Sequence, residues 1–189
     1  MNRPTIKIQY DAPVALTFAL LCLTALVLNF FTGGWINTNI CSVYRSSLAD
    51  PLTYVRMFCH VLGHTDFNHF FGNMSLFLVL SAIVENRYGS VRLLISIIIT
   101  ALVSGLIHFV FFPSVMLLGA SGIVFMMIFL ASMANSKGGV IPVSLILVGL
   151  IYLGKEVWSL FFTSDNISQL THIIGGICGI IFGKCSSKR

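Results

Sequence analysis

The chain has 189 residues, 57% of them hydrophobic and only 9% charged, with a mean hydropathy of +0.95. A water-soluble domain carries about 25% charged residues to wet its surface, so this composition excludes a soluble globule and points to an integral membrane protein. The formal charge of +5 is scattered in ones and twos; with no Lys/Arg block to follow a phosphate backbone, nucleic-acid binding is excluded as well.

A hydrocarbon core about 30 Å thick needs about 20 helical residues to cross it. The first span is expected over 13–32, because Pro13 to Thr32 is uncharged throughout and too long for the apolar core of a signal peptide. It leaves residues 1–12 as a short N-terminal tail. The stretch 33–67 is too long for a tight connection and too mixed for a span, and reads as a long, partly membrane-associated first outer loop. A second span over 69–84 ends at Glu85-Asn86-Arg87-Tyr88-Gly89. A third over 91–112 is broken by Pro113, and a fourth over 121–135 runs up to Lys137-Gly138-Gly139. A fifth follows over 141–162, then a polar turn, then a sixth over 170–184, closing a membrane domain of residues 13–185 with a tail at 186–189.

Charge placement supports this order. With the N-terminus inside, the inner segments carry Arg3, Lys7, Arg87, Arg92, Lys137, Lys184, Lys188 and Arg189, and the outer ones only Arg45, Arg56 and Lys155. Lys and Arg concentrate on cytoplasmic loops, so the expected fold is an all-α, six-transmembrane-helix bundle with both termini cytoplasmic.

No charged residue occurs from Leu93 to Ser136, a run of 44 residues that holds two helices and almost no loop. The connection from Pro113 to Ala120 is itself apolar. Exposed to lipid, its backbone groups would go unpaired at several kcal/mol each, so it must be buried in protein or line a watery cavity. Ser121, between Gly119-Ala120 and Gly122, then opens the fourth helix below the membrane surface.

Ionisable groups inside spans are expensive and are functional candidates by default. The expected topology brings His69 and Asn73, Ser121, and His172 to one level, at the outer ends of spans two, four and six. A serine hydroxyl is a weak nucleophile until a base takes its proton, and histidine suits that duty. The oxyanion that follows needs fixed donors, which the His69 ring, the Asn73 amide and the Ser121 backbone N–H can supply. Gly119 and Gly122 allow a tight turn and close approach. Gly175, Gly179 and Gly183 continue the face of His172, and such a stripe lets two membrane helices pack backbone to backbone. None of the six carboxylates (Asp11, Asp50, Asp66, Glu85, Glu156 and Asp165) is expected beside these elements, so the reading is a Ser-His dyad. Packing from Phe125, one turn after Ser121, would hold the imidazole.

Plainer readings exist for each feature alone. A single serine in a membrane helix commonly bonds back to a carbonyl, and glycine stripes are mostly packing. His108 lacks an evident partner. His60 and His64 with His69 suggest a metal, but no metalloprotease pattern or suitably spaced carboxylate accompanies them, so no metal is expected. The five cysteines follow no disulfide or CxxC pattern, although Cys41 and Cys59 share one loop.

Taken in order, His64-x4-His69-x3-Asn73, Gly119-x-Ser121-Gly122 and His172-x2-Gly175-x3-Gly179 resemble the rhomboid family of intramembrane serine proteases, over about residues 13–184. Glu85-x-Arg87-x-Gly89 is similar too. The resemblance implies a rhomboid-like bundle with Ser121 as nucleophile, His172 as general base, and His69 and Asn73 as oxyanion stabilisers. His64 would be a structural loop residue. It further implies cofactor-free hydrolysis of peptide bonds in or near the transmembrane segments of membrane-protein substrates. Related enzymes favour small residues before the cut and helices that unwind easily. The expected setting is the lipid bilayer of a bacterial plasma membrane. Two positions depart from the family pattern. Tyr54-Val55-Arg56 stands where Trp-Arg is common, and Phe125 replaces a common tyrosine, keeping the ring face and losing the hydroxyl. The alternative is a catalytically silent rhomboid-like protein that binds transmembrane helices; silent relatives typically lose the serine or histidine, and this chain keeps both. A small transporter would show inverted internal repeats, which are absent here.

Overall fold

A computed structural model describes residues 11–134, 140–154, 158 and 166–186. The tail up to residue 10, the turn at Lys137, the later part of the expected fifth span and the last three residues lie outside the described residues.

The first helix, α1 (Pro13–Phe31), opens on proline, whose missing N–H is harmless in the first turn. Gly33 and Gly34, at φ +61° and +95°, reverse the chain after it into the short α2 (Trp35–Asn39). Helix α3 (Pro51–Cys59) is capped by Asp50, which accepts the Leu52 N–H at 3.0 Å, and a 3-10 turn at His60–Leu62 follows. Asp66 caps α4 (Phe67–Tyr88) by accepting the His69 N–H at 2.9 Å. Gly89, at φ +87°, turns the chain into α5 (Ser90–Phe111). Helices α6 (Ser121–Ser132) and α7 (Val143–Val148) come next; α7 runs on into a π-helical turn at Gly149–Leu153, and α8 (Asn166–Ser186) ends the described chain.

Among the described residues there are no strands, only an isolated antiparallel bridge between Val43 and Leu117. Helices α1, α4 and α5 are long and apolar enough to cross a membrane. Their outer faces carry exposed Leu20, Phe30, Val79 and Val91, a surface suited to lipid rather than water. The molecule is an integral membrane protein.

Helix α6 is the centre of the core. Ile123, Met126, Met127 and Phe129 are fully buried, and its most extensive neighbour is α8. Gly175, Gly179 and Gly183 make that approach geometrically possible. A β-carbon at Gly175 would overlap the Gly122 carbonyl, and one at Gly179 would meet the Met126 carbonyl and stand 2.9 Å from Phe129 Cβ. The glycine stripe is thus packed against the helix that Ser121 opens.

Two expectations change. The second helix is longer than 69–84, because Asp66 starts it earlier and it continues through Glu85, Asn86 and Arg87 to Gly89. The first of those charges does not end a span in solvent. Glu85 is buried and accepts the Val14 N–H at 3.0 Å and the Ala15 N–H at 2.9 Å, capping α1. Arg87 Nε donates to the Ala134 carbonyl, and the Tyr88 hydroxyl donates to the Leu130 carbonyl at 3.2 Å, closing the far end of α6. The expected outer loop also contains the ordered helices α2 and α3. Arg56 is buried there, bonded to Asp50 and Ser46 at 2.9 Å each, with its guanidinium 4.7 Å from the centre of the Tyr44 ring. Tyr44 thus gives Arg56 an aromatic cover. Cys41 and Cys59 are free thiols, and burial pushes Cys41 up to about 12.

Candidate active site

The backbone leading to Ser121 is fastened to neighbouring segments. His108 Nε2 donates to the Val115 carbonyl at 2.8 Å, so His108 has a partner after all and closes the α5–α6 connection. Val43 and Leu117 exchange two backbone bonds of 2.9 Å, and the Gly119 N–H donates to the His60 carbonyl at 2.9 Å. Leu117, Gly119 and Ala120 are buried, whereas Pro113 to Met116 are exposed, so the expected burial holds for the second half of the connection. His60 is itself fixed, its Nε2–H donating to the Ala101 carbonyl at 3.0 Å. Burial pulls the His60 pKa down to about 4, which keeps the ring neutral near pH 7.

Gly119 sits at φ +127°, a backbone region that glycine alone adopts freely. A β-carbon there would also lie 2.9 Å from His69 Nε2. Both facts demand glycine, and the second shows that the His69 ring faces the backbone two residues before Ser121. Helix α6 starts at Ser121 itself. Ala120 offers no side-chain cap, and the first helical bond runs from the Val124 N–H to the Ala120 carbonyl at 2.9 Å. The N–H groups of the first turn, Ser121 among them, therefore have no intrahelical acceptor. They form a patch of partial positive charge at the serine.

On the other side, α8 closes in. A β-carbon at Gly122 would stand 2.9 Å from Thr171 Cγ2, so the residue before His172 touches the residue after Ser121. The His172 and Phe125 rings stack with centroids 4.2 Å apart and planes 4° from parallel. Residues four apart on a helix share a face, with Cβ atoms about 5–6 Å apart, so Ser121 lies one turn from the residue that carries this stack. The Phe125 ring is met edge-on by Tyr152 of the π-helical turn, at 6.0 Å and 85°. Sequence reasoning had no signal for Tyr152, since its position depends on how α7 packs.

Asn73 is buried one turn below His69 and donates one amide hydrogen to the His69 carbonyl at 3.2 Å; the amide has a second to offer. His64 is fully buried, its Nδ1–H donating to the Leu62 carbonyl at 3.1 Å and its ring 5.0 Å from that of His69. Burial first, then the nearby His69, lowers the His64 pKa to about 4. One expectation fails here: a carboxylate does lie beside the site. Asp66 bonds the His69 N–H, and its other oxygen takes the Thr65 hydroxyl at 2.7 Å. The D-x-x-H spacing of a helix N-cap was the available signal. Among the described residues, no group of three or more His, Cys, Asp or Glu side chains is placed to hold a metal.

A cavity of about 460 Å³ opens between α4, α6 and α7, lined by Leu76, Leu80, Ile128, Ser132, Pro142 and Tyr152. It reaches Tyr152 and so comes to the Phe125 side of the site.

No curated protein matches the chain. Residues 51–189, well over half of its length, match the Rhomboid domain, whose members are usually intramembrane serine proteases. The matched region includes the α6–α8 contact, the His69 turn and the Glu85–Gly89 corner, and by that match the chain belongs to the rhomboid family.

Proposed function

We propose that this protein is an intramembrane serine endopeptidase working through Ser121 and His172. The observation that carries the reading is the stack of His172 on Phe125, one turn from Ser121, on helices that glycine lets touch. His172 removes the Ser121 hydroxyl proton as the oxygen attacks the scissile carbonyl. The developing oxyanion is met by the Ser121 N–H, the His69 Nε2–H and the free Asn73 amide hydrogen. His172 then passes its proton to the departing amine. Water repeats the attack on the acyl-serine, releasing the acid and restoring the hydroxyl.

In this reading the chain crosses the bilayer six times, both termini are cytoplasmic, and the membrane is the plasma membrane of a bacterium. The eight-to-three charge asymmetry supports that topology. The substrates are membrane proteins with an easily unwound transmembrane segment, and no cofactor takes part. The cavity between α4, α6 and α7 gives such a segment an apolar approach. A fluorophosphonate probe tests the nucleophile: it labels the unsubstituted protein and not Ser121→Ala or His172→Ala. Absence of labelling and of cleavage across several single-span substrates supports instead the silent, helix-binding alternative.

A further inference from the structure

A neutral imidazole has one hydrogen for two nitrogens, and His69 serves an oxyanion only if that hydrogen is on the nitrogen facing Gly119. That nitrogen is Nε2. The group that decides the matter lies at the other edge of the ring, in the bend ahead of α4. The Thr65 backbone N–H, whose hydrogen is fixed by the peptide plane, donates to His69 Nδ1 at 3.4 Å. The Thr65 hydroxyl gives its one hydrogen to Asp66 Oδ2 at 2.7 Å, which anchors the bend that presents this N–H. Asp66 is tied in turn to the start of α4 by the His69 backbone N–H at 2.9 Å. The hydroxyl oxygen also stands 3.2 Å from Nδ1. Were its hydrogen turned to the ring, Nδ1 would again be the acceptor.

We infer that Thr65 is a positioning residue that holds His69 neutral with its hydrogen on Nε2, so that the ring presents one fixed donor beside Gly119. The inference deepens the protease reading above and rests on it. Which ring nitrogen carries the hydrogen is set by the bond the other one makes. A hydrogen on Nδ1 would meet the Thr65 N–H hydrogen head-on. It would also leave Nε2 with a lone pair facing the developing negative charge. Both penalties select the Nε2–H form. The neighbouring His64 ring, 5.0 Å away, does not compete, because it spends its own hydrogen on the Leu62 carbonyl. Burial keeps His64 neutral near pH 7. The His69 donor is therefore in place before a substrate arrives, and no reorganisation is needed during attack. The Ser121 proton goes to His172, so His69 gains and loses nothing. Position 65 is an unspecified place in His64-x4-His69, which makes this contact the chain's own.

The test uses the full chain in detergent, with histidine labelled in nitrogen-15. The His69 signals are assigned by their loss in His69→Gln, and the two nitrogens are told apart by their couplings to the carbon-bound ring hydrogens. At neutral pH the unsubstituted protein is expected to carry one His69 ring proton, on Nε2. Thr65→Pro removes the N–H and the hydroxyl together and should bring the proton onto Nδ1 in a large fraction of molecules. Its kcat should fall about tenfold with KM unchanged, a partial loss of one oxyanion donor. Thr65→Val keeps the N–H and loses the hydroxyl that anchors it, so its kcat should fall by about threefold. It carries the comparison if Thr65→Pro does not fold. Thr65→Ser keeps both groups and should restore the unsubstituted proton pattern and rate. A proton on Nδ1, or on both nitrogens, in the unsubstituted protein overturns the inference. So do Thr65→Pro and Thr65→Val proteins that match it in pattern and rate. The nitrogen signals are read without turnover, so the two readings fail separately. The expected signals in a protein that neither cleaves nor is labelled at Ser121 by a fluorophosphonate overturn the protease reading, and the donor role with it. An active, labelled protein with its His69 proton on Nδ1 overturns this inference alone.

Discussion

The N-termini of α1 and α6 meet opposite treatment. At α1 a buried carboxylate, Glu85, takes the Val14 and Ala15 N–H groups, and the first turn is satisfied. At α6 the residue before the helix is alanine, no side chain caps it, and the donors of its first turn have no acceptor in their own helix. The opposite end of α6 is closed by Arg87 and Tyr88. Side-chain hydrogen bonds close the helix ends at the Glu85–Gly89 corner, while in the proposed reading the Ser121 end keeps its donors for a reacting molecule. Unpaired donors at a helix start cost free energy, and here they coincide with a positive-φ glycine, a histidine ring and the glycine-mediated approach of α8.

The largest expected effect comes from pushing the two helices apart at the Ser121 end. Gly175→Ala puts a methyl group against the Gly122 carbonyl and should cost about 1–3 kcal/mol, with cleavage falling further than stability does. Gly179→Ala should follow closely. Gly183→Ala should be mildest, because its β-carbon would meet Met133 Sδ, the end of a flexible side chain, at 2.6 Å rather than a backbone atom. Unfolding by denaturing detergent, run beside a cleavage assay, ranks the three.

Acid should loosen the Ser121 end first. Burial holds His60 and His64 at about 4, below the unfolded value of 6.5. Between those values the unfolded chain binds more protons, so stability is complete above about pH 6.5 and is lost as pH falls toward 4. The slope is up to about 1.4 kcal/mol per pH unit for each ring. Hydrogen exchange across this range should rise at the Gly119 N–H, which bonds the His60 carbonyl, before it rises at Val14 and Ala15. Simultaneous opening of both ends would erase the contrast.

Glu85→Ala attacks the capped end. It strands two α1 donors and should lower stability by about 1–3 kcal/mol, leaving the specific activity of the folded fraction unchanged; a selective loss of kcat would mean that the corner also serves the chemistry. The smallest effect is expected from Phe125. Replacing it with leucine removes a ring stack worth about 0.5–1.5 kcal/mol and should lower kcat by roughly three- to tenfold. Phe125→Tyr keeps the stack and should stay near the unsubstituted rate.

Much of this was legible in the sequence because membranes impose simple rules. Apolar length predicted the three long helices α1, α4 and α5. The charge-free run 93–136 implied an internally bonded connection, and Leu117 and Gly119 show how it is made. The glycine period predicted that α8 would press backbone-close against a neighbour, and the fold makes that neighbour α6. What stayed hidden depends on which polar groups the fold brings together. Glu85 looked like the end of a span because a charge in sequence reads as solvent, and only the fold reveals two N–H groups waiting for it. His108 looked partnerless because its acceptor is a backbone carbonyl. Asp66 reads in sequence as a loop carboxylate, and its bond to the His69 N–H exists only once it caps α4.

The central claim is that Ser121 and His172 form one catalytic pair at the uncapped start of α6. It is tested most directly by cleavage of a labile single-span substrate by the purified protein, compared with Ser121→Ala and His172→Ala that unfold at the same detergent concentration. The account predicts cleavage by the unsubstituted protein and none by either variant. Cleavage that survives either substitution would contradict it.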